Sequence, residues 1–267
     1  MIFFNLRYFI KLAYNGTQFH GWQSQPNAVS VQSTIEDALK ILLRVETAVT
    51  GAGRTDTGVH ARRMFAHFDS SLHIDDKKKF ILSLNSLVGK NIDIQEIYEV
   101  HESAHARFDA SLRSYKYFIT FSKNPFLYDF CWVSSHYLDF DRMNNAAEIL
   151  LSTQDFTSFA KLHSDVKTNI CNVSEAVWKP ILEDREAYNF LGDLHNGYVF
   201  TISADRFLRN MVRSIVGTLI DVGRHKISVS DFQNIISTKD RRAAGVSMPA
   251  KGLFLWSISY PFLENIC

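Results

Sequence analysis

The chain of 267 residues predicts an α+β fold of two α/β lobes, and three observations predict it. Period-two and period-3.6 apolar patterns alternate along the whole length, so strands and helices are interleaved. Both halves run through these elements in a similar order, although no residue-level repeat accompanies the parallel. No low-complexity stretch or long linker interrupts them, which leaves residues 1–107 and 108–267 as the expected lobes.

The elements follow in order. A strand over 7–14 ends at the Asn15-Gly16 turn, and a loop over 17–28 carries Phe19, His20, Gly21, Trp22 and Gln23. A helix follows, capped by Ser30 or Ser33, with Ser33 and Glu36 fitting a capping box and Ile35, Ala38, Leu39, Leu42 and Leu43 on one face. Extended segments are expected near Ala48, over 64–68 and over 92–100. Between the last two lies a helix over 76–88 that faces inward through Phe80, Ile81, Leu84, Leu87 and Val88. In the second half, Tyr115, Tyr117, Ile119 and Phe121 alternate with Lys116, Phe118, Thr120 and Ser122, which is strand period. A helix over 141–151 is buried through Met143, Ala146, Ala147, Leu150 and Leu151, and strands are expected over 173–179 and 198–204. Asp205 then caps a long helix reaching Val222, with Gly223 as its C-terminal cap. A short helix over 230–237 and a strand over 253–260 complete the chain.

Composition sets limits on function. Apolar residues make up 46% and charged residues 21%, the balance of a soluble globular protein. The net charge of +1 gives no bulk attraction for a polyanion, so a nucleic-acid binder of this kind must concentrate its cations locally. Cys131, Cys171 and Cys267 are far apart and form no CxxC, which suits reduced thiols in a cytosol better than disulfides or structural zinc. Residues 1–13 contain Arg7 and Lys11 and lack a signal-peptide pattern, and no segment reaches the roughly 18 apolar residues of a membrane helix. The expectation is a cytoplasmic enzyme with no membrane partner.

The chemistry concentrates in Gly51-Ala52-Gly53-Arg54-Thr55-Asp56-Thr57-Gly58. Its glycine spacing fails the dinucleotide fingerprint, and Val59-His60 stands where a P-loop needs Lys followed by Ser or Thr. Glycines let a bulky partner approach the backbone. Arg54 and Asp56, two apart, point the same way in extended chain, and the cation favours the ionised acid. An ordinary turn with one ion pair suits the same residues. Farther on, Arg206, Arg209 and Arg213 share a helix face opposite Phe207, Leu208, Met211, Val212, Ile215 and Leu219. With no acid on that face, the stripe suits phosphate or carboxylate contact, or else a solvated surface. By pattern alone Tyr115 reads as a core aromatic of its strand.

The segment from Gly51 through Val59, His60 and Ala61 closely resembles the catalytic motif of TruA-type tRNA pseudouridine synthases, with Thr57 where the family usually has alanine. The resemblance runs nearly end to end. Phe19-His20-Gly21-Trp22-Gln23 with Val31-Gln32, His105-Ala106-Arg107-Phe108 with Ser114-Tyr115-Lys116-Tyr117, Asp155-Phe156-Thr157-Ser158-Phe159, and Met211-Val212-Arg213-Ser214-Ile215-Val216-Gly217 follow in the family's order.

The resemblance implies the pseudouridine synthase fold, with mainly antiparallel sheets meeting at a central active-site cleft. It implies a homodimer that isomerises uridine to pseudouridine at positions 38, 39 and 40 of the tRNA anticodon arm. It makes Asp56 the catalytic carboxylate, Arg213 its ion-pair partner and Tyr115 the ring against the target base. The acid acts as a nucleophile at C1′ or removes a 2′ proton, and both routes need it ionised. An isomerisation needs no cofactor or metal, in keeping with the missing cofactor motifs. Candidate RNA contacts are Arg54, Tyr115, Arg206 and Arg209, with Arg62, Arg63 and residues 77–79 behind them; His20, His60 and His67 are more often structural. A non-catalytic tRNA-binding protein on the same fold and a nucleotide-binding oxidoreductase are the competing expectations.

Overall fold

A computed structural model describes residues 6–161, 167–192, 194 and 196–263. Cys267 and the start of the N-terminal stretch lie outside the described residues. The fold is α+β with mostly antiparallel strands, and it divides into two compact units, Met1–Ser111 with Leu255–Cys267, and Leu112–Phe254. The first division falls a few residues beyond 107, and the chain returns to the first unit within its last strand.

The first unit holds β1 (Leu6–Tyr14), α1 (Val31–Leu43), β2 (Thr50–Gly51), β3 (His60–Ser70), α2 (Lys77–Val88) and β4 (Ile92–Val100). β1 lies between β3 and β4, antiparallel to both, with Phe9 opposite His67 and Tyr98. Tyr8, Phe9, Ile10 and Leu12 of β1 are fully buried, while Lys11 between them is only half-buried. The box at the start of α1 joins Ser30 and Ser33, not Ser33 and Glu36. Glu36 instead accepts the Val49 N–H at 2.9 Å. Asp76 caps α2 by accepting the Lys79 N–H. Only Leu84 and Val88 of that helix are buried; Phe80 and Ile81 are half-buried and Leu87 is exposed.

The second unit holds β5 (Leu112–Thr120), β6 (Trp132–Val133), α3 (Phe140–Ser152), β7 (Val173–Pro180), α4 (Arg185–Leu191), β8 (Gly197–Ala204), α5 (Met211–Gly223) and α6 (Val229–Thr238). The last strand, β9 (Leu253–Ser259), begins here and pairs with β3 of the first unit. β8 pairs antiparallel with β5 and β7, and β6 runs parallel to β5. α3 packs on β7, α5 and α6. Leu151 of α3, expected inside, is exposed. α5 is buried almost all round, through Met211, Val212, Ile215, Val216, Leu219, Ile220 and Val222.

One expected element is corrected. The helix does not start at Asp205; it starts at Met211, after Asn210 in the left-handed region at φ 65. The Asp205 carboxylate accepts instead from the Asn172 backbone and side-chain amides at 2.9 and 3.0 Å and from the Arg206 N–H at 2.7 Å. It therefore fixes an irregular link rather than a helix end. Arg206 and Arg209 lie on this link, so the three arginines form no helical stripe. Gly223 is the last residue of α5 and not a left-handed cap, and a Cβ there would lie 2.4 Å from Met143 Sδ of α3.

Candidate active site

Asp56 lies in the loop between β2 and β3 of the first unit. The loop leaves the sheet where Gly51 pairs with Ala66 and the Ala52 N–H donates to Phe65 O at 2.8 Å. It returns through a turn closed by the Val59 N–H on Asp56 O at 3.1 Å, with Gly58 at φ +76 in the position where a type II turn requires glycine. Between these points Thr55 is buried, Arg54 is exposed and Asp56 is half-buried.

The segment after β1 encloses this loop. Thr55 O accepts the Trp22 N–H at 3.2 Å, Phe19 O accepts the Gly58 N–H at 3.3 Å, and the hydroxyls of Tyr14 and Thr55 share a hydrogen bond of 2.9 Å. Gly21 stands at φ +88, and a Cβ on it would lie 2.4 Å from Thr55 O. A Cβ on Gly51 would meet the Trp22 indole at 2.4 Å. These close approaches explain why glycine recurs here. His60 is buried, and its Nδ1 accepts the Gly16 N–H at 3.0 Å, which puts the proton of the neutral ring on Nε2. Gln32 of α1 completes the enclosure, donating from its backbone to Trp22 O and from Nε2 to Val49 O.

In the second unit Tyr115 faces Ile202 of β8 and is half-buried, with its ring edge-on to Phe207 at 5.0 Å and 82°. Tyr117 is fully buried, and its hydroxyl donates to Pro249 O at 3.0 Å. Burial raises its pKa, while the nearby Arg213 guanidinium opposes the rise. Arg213 occupies the first turn of α5, half-buried, with Nε donating to Met248 O at 2.6 Å and its own carbonyl accepting the Met248 N–H at 3.1 Å. The irregular segment through Met248 lies so close to α5 that a Cβ on Gly217 would sit 1.8 Å from Val246 O. Arg206 is half-buried and Arg209 exposed, both on the irregular link with Phe207.

The residues singled out from the sequence thus lie on a loop (Asp56) of the first unit and on a strand (Tyr115) and a helix (Arg213) of the second. The contacts of Tyr14 with Thr55 and of Tyr115 with Phe207 join residues distant in sequence and carry no periodic signal. Two concavities of about 470 and 300 Å³, one lined by Glu99, His101, Asp109 and Phe262 and the other by Thr153, Asp155, Gln233 and Lys239, involve none of the predicted site residues. Among the described residues no cluster of His, Cys, Asp or Glu is arranged to hold a metal ion, and no helix is long and apolar enough to cross a membrane. Cys131 and Cys171 are buried thiols, pushed up by burial to about 11 and about 12.

A family profile described as tRNA pseudouridine synthase matches residues 146–261. That match covers the Arg213 helix, and longer relatives cover the Asp56 loop as well. The tRNA pseudouridine synthase A of Parabacteroides distasonis is 49% identical over 255 residues, 96% of each chain. That of Bacteroides fragilis is 50% identical over the same share of both chains. The tRNA pseudouridine synthase A 1 of Protochlamydia amoebophila is 36% identical over 264 residues, 97% of this chain and 98% of its own. With such identity over nearly the whole length of both partners, the chain belongs to the tRNA pseudouridine synthase family.

Proposed function

We propose that this protein converts uridine to pseudouridine in the anticodon arm of tRNA, at nucleotides 38, 39 and 40. The observation that carries the reading is the half-buried Asp56, presented by a glycine-lined loop that its own unit holds from several sides, in a chain of this family. In the reaction the N1–C1′ bond breaks, the base turns, a C5–C1′ bond forms, C5 loses its proton and N1 gains one. Substrate and product have the same composition, so no redox partner or energy source is consumed.

Asp56 is the reacting carboxylate, acting at C1′ or on the 2′ proton. Arg213 supplies the guanidinium that favours the ionised acid. Tyr115 covers the extruded base, where stacking on an aromatic is worth ~1–3 kcal/mol. Arg54, Arg206 and Arg209 contact the RNA backbone. The enzyme works as a cytoplasmic homodimer.

Release of tritium from tRNA labelled at C5 of uridine tests the reading. The wild type should release it, and Asp56→Ala should abolish release while still binding tRNA. Binding without turnover by the wild type would instead make the protein a non-catalytic tRNA binder.

A further inference from the structure

We infer that Tyr14 and His60 are positioning residues for Asp56, acting through Thr55 on one side of the acid and the Val59 turn on the other. The inference rests on Asp56 being the reacting carboxylate. Tyr14 ends β1 and is 4% exposed, and its hydroxyl bonds to Thr55, which is 8% exposed. At that depth a lost hydrogen bond has little water to replace it. The Tyr14 ring already packs on Trp22 at 6.2 Å, a contact that phenylalanine would make equally well. What tyrosine adds is the hydroxyl, and the hydroxyl reaches the residue that precedes the acid.

On the other side, His60 is 1% exposed and accepts the Gly16 N–H. This holds Gly16 against the Val59 carbonyl, where a Cβ would lie 2.0 Å away. Val59 closes the Asp56 turn. The two ends of the acid's turn are thus fastened to the end of β1 by a pair of side chains, 41 and 44 residues from their partners in sequence. The half-buried carboxylate between them inherits its place from these contacts. Neither side chain needs to meet the substrate, and both act on the height and direction of the acid. A shift of about 1 Å in a reacting group is enough to cost about a hundredfold in rate.

Steady-state kinetics on tRNA test this. Tyr14→Phe and Thr55→Val should each lower kcat about 10- to 100-fold with KM within about twofold. The double variant should be no slower than the slower single, because both remove one bond. Thr55→Ser, which keeps the hydroxyl, should retain most of the turnover. His60→Asn, which keeps an acceptor near the Nδ1 position, should retain more than His60→Leu. Tyr14→Phe preserves ring and volume, so its melting curve reports whether folding is intact. Wild-type kcat in Tyr14→Phe, a loss confined to KM, or single-variant losses that multiply in the double would each overturn the inference. Activity surviving in Asp56→Asn would overturn the assignment of the acid instead, which keeps the two failures apart.

Discussion

At the scale of single residues, His67 illustrates how burial sets protonation in the first unit. Burial, then the charges of Arg7 and His105, lower its pKa to about 4, and its Nδ1 accepts the Ala106 N–H at 3.1 Å. A doubly protonated ring cannot accept that bond. Because the folded value lies below the unfolded one, the unfolded chain takes up more protons as pH falls. The contribution is therefore complete above about pH 6.5 and is lost as pH falls towards 4, a change of roughly 3 kcal/mol. His67→Asn, which keeps an acceptor, should flatten the decline of the urea midpoint across that window. An unchanged slope would assign the pH dependence to other groups. Single residues were also the scale at which the motif spoke most clearly. Asp56 stood out because glycines and an arginine surround it. Tyr14 did not, and His60 stood out only as a motif member with no role, because their hydrogen-bond partners are 41 and 44 residues away and only the β1–β3 pairing brings them near.

At the scale of elements, Lys116 and Asp184 join β5 to the start of α4. The pair is an ion pair with side chains 7% and 12% exposed, and Lys116 also lies 3.3 Å from Thr201 Oγ1. Burial works against the Asp184 carboxylate, but the Lys116 ammonium and the Ala187 N–H hold it below the usual carboxylate range. Removing one partner strands the other charge in the interior. Lys116→Met should therefore cost about 3–5 kcal/mol in urea unfolding, and Lys116→Met with Asp184→Asn should cost less than the single change. A double variant no more stable than the single would mean that the pair carries little of that energy. No pattern in the sequence marks α4, whose buried residues are only Ala187 and Leu191 in a helix of 7 residues. β4, β7 and β8 were legible almost to their ends, since their apolar patterns stop at recognisable turns. The start of α5 was misread for a physical reason. Residues after Asp205 carry helical spacing, but its carboxylate is taken by Asn172, 33 positions away, and no local pattern reveals that.

At the scale of the whole molecule, a net charge of +1 means that binding to tRNA has to come from local arginines. The apparent affinity should fall with salt, and Arg206→Ala and Arg209→Ala should each reduce the slope of log K against log salt by about 1. A slope that stays unchanged in both variants would place the phosphate contacts elsewhere. The sequence leads one to expect a break near 107, where strand and helix patterns restart, and the first compact unit runs on to Ser111. The return of the chain to the first unit from Leu255 onward leaves no sign in the sequence, because β9 is joined to β3 by pairing and linear order shows nothing of it. Once there, Trp256 lies under the Arg62 guanidinium at 4.5 Å and Tyr260 donates to Ala106 O.

β5 is half-buried from Leu112 to Tyr115 and then wholly buried from Lys116 to Thr120. Its root is clamped in the interior of the second unit, and the tyrosine occupies the last rung before the clamp. A different ring or a shorter side chain at that rung changes the contact with Phe207 and leaves the wholly buried run behind it in place. Changes at position 115 therefore test the role proposed for the ring while the buried run behind it keeps the strand in place.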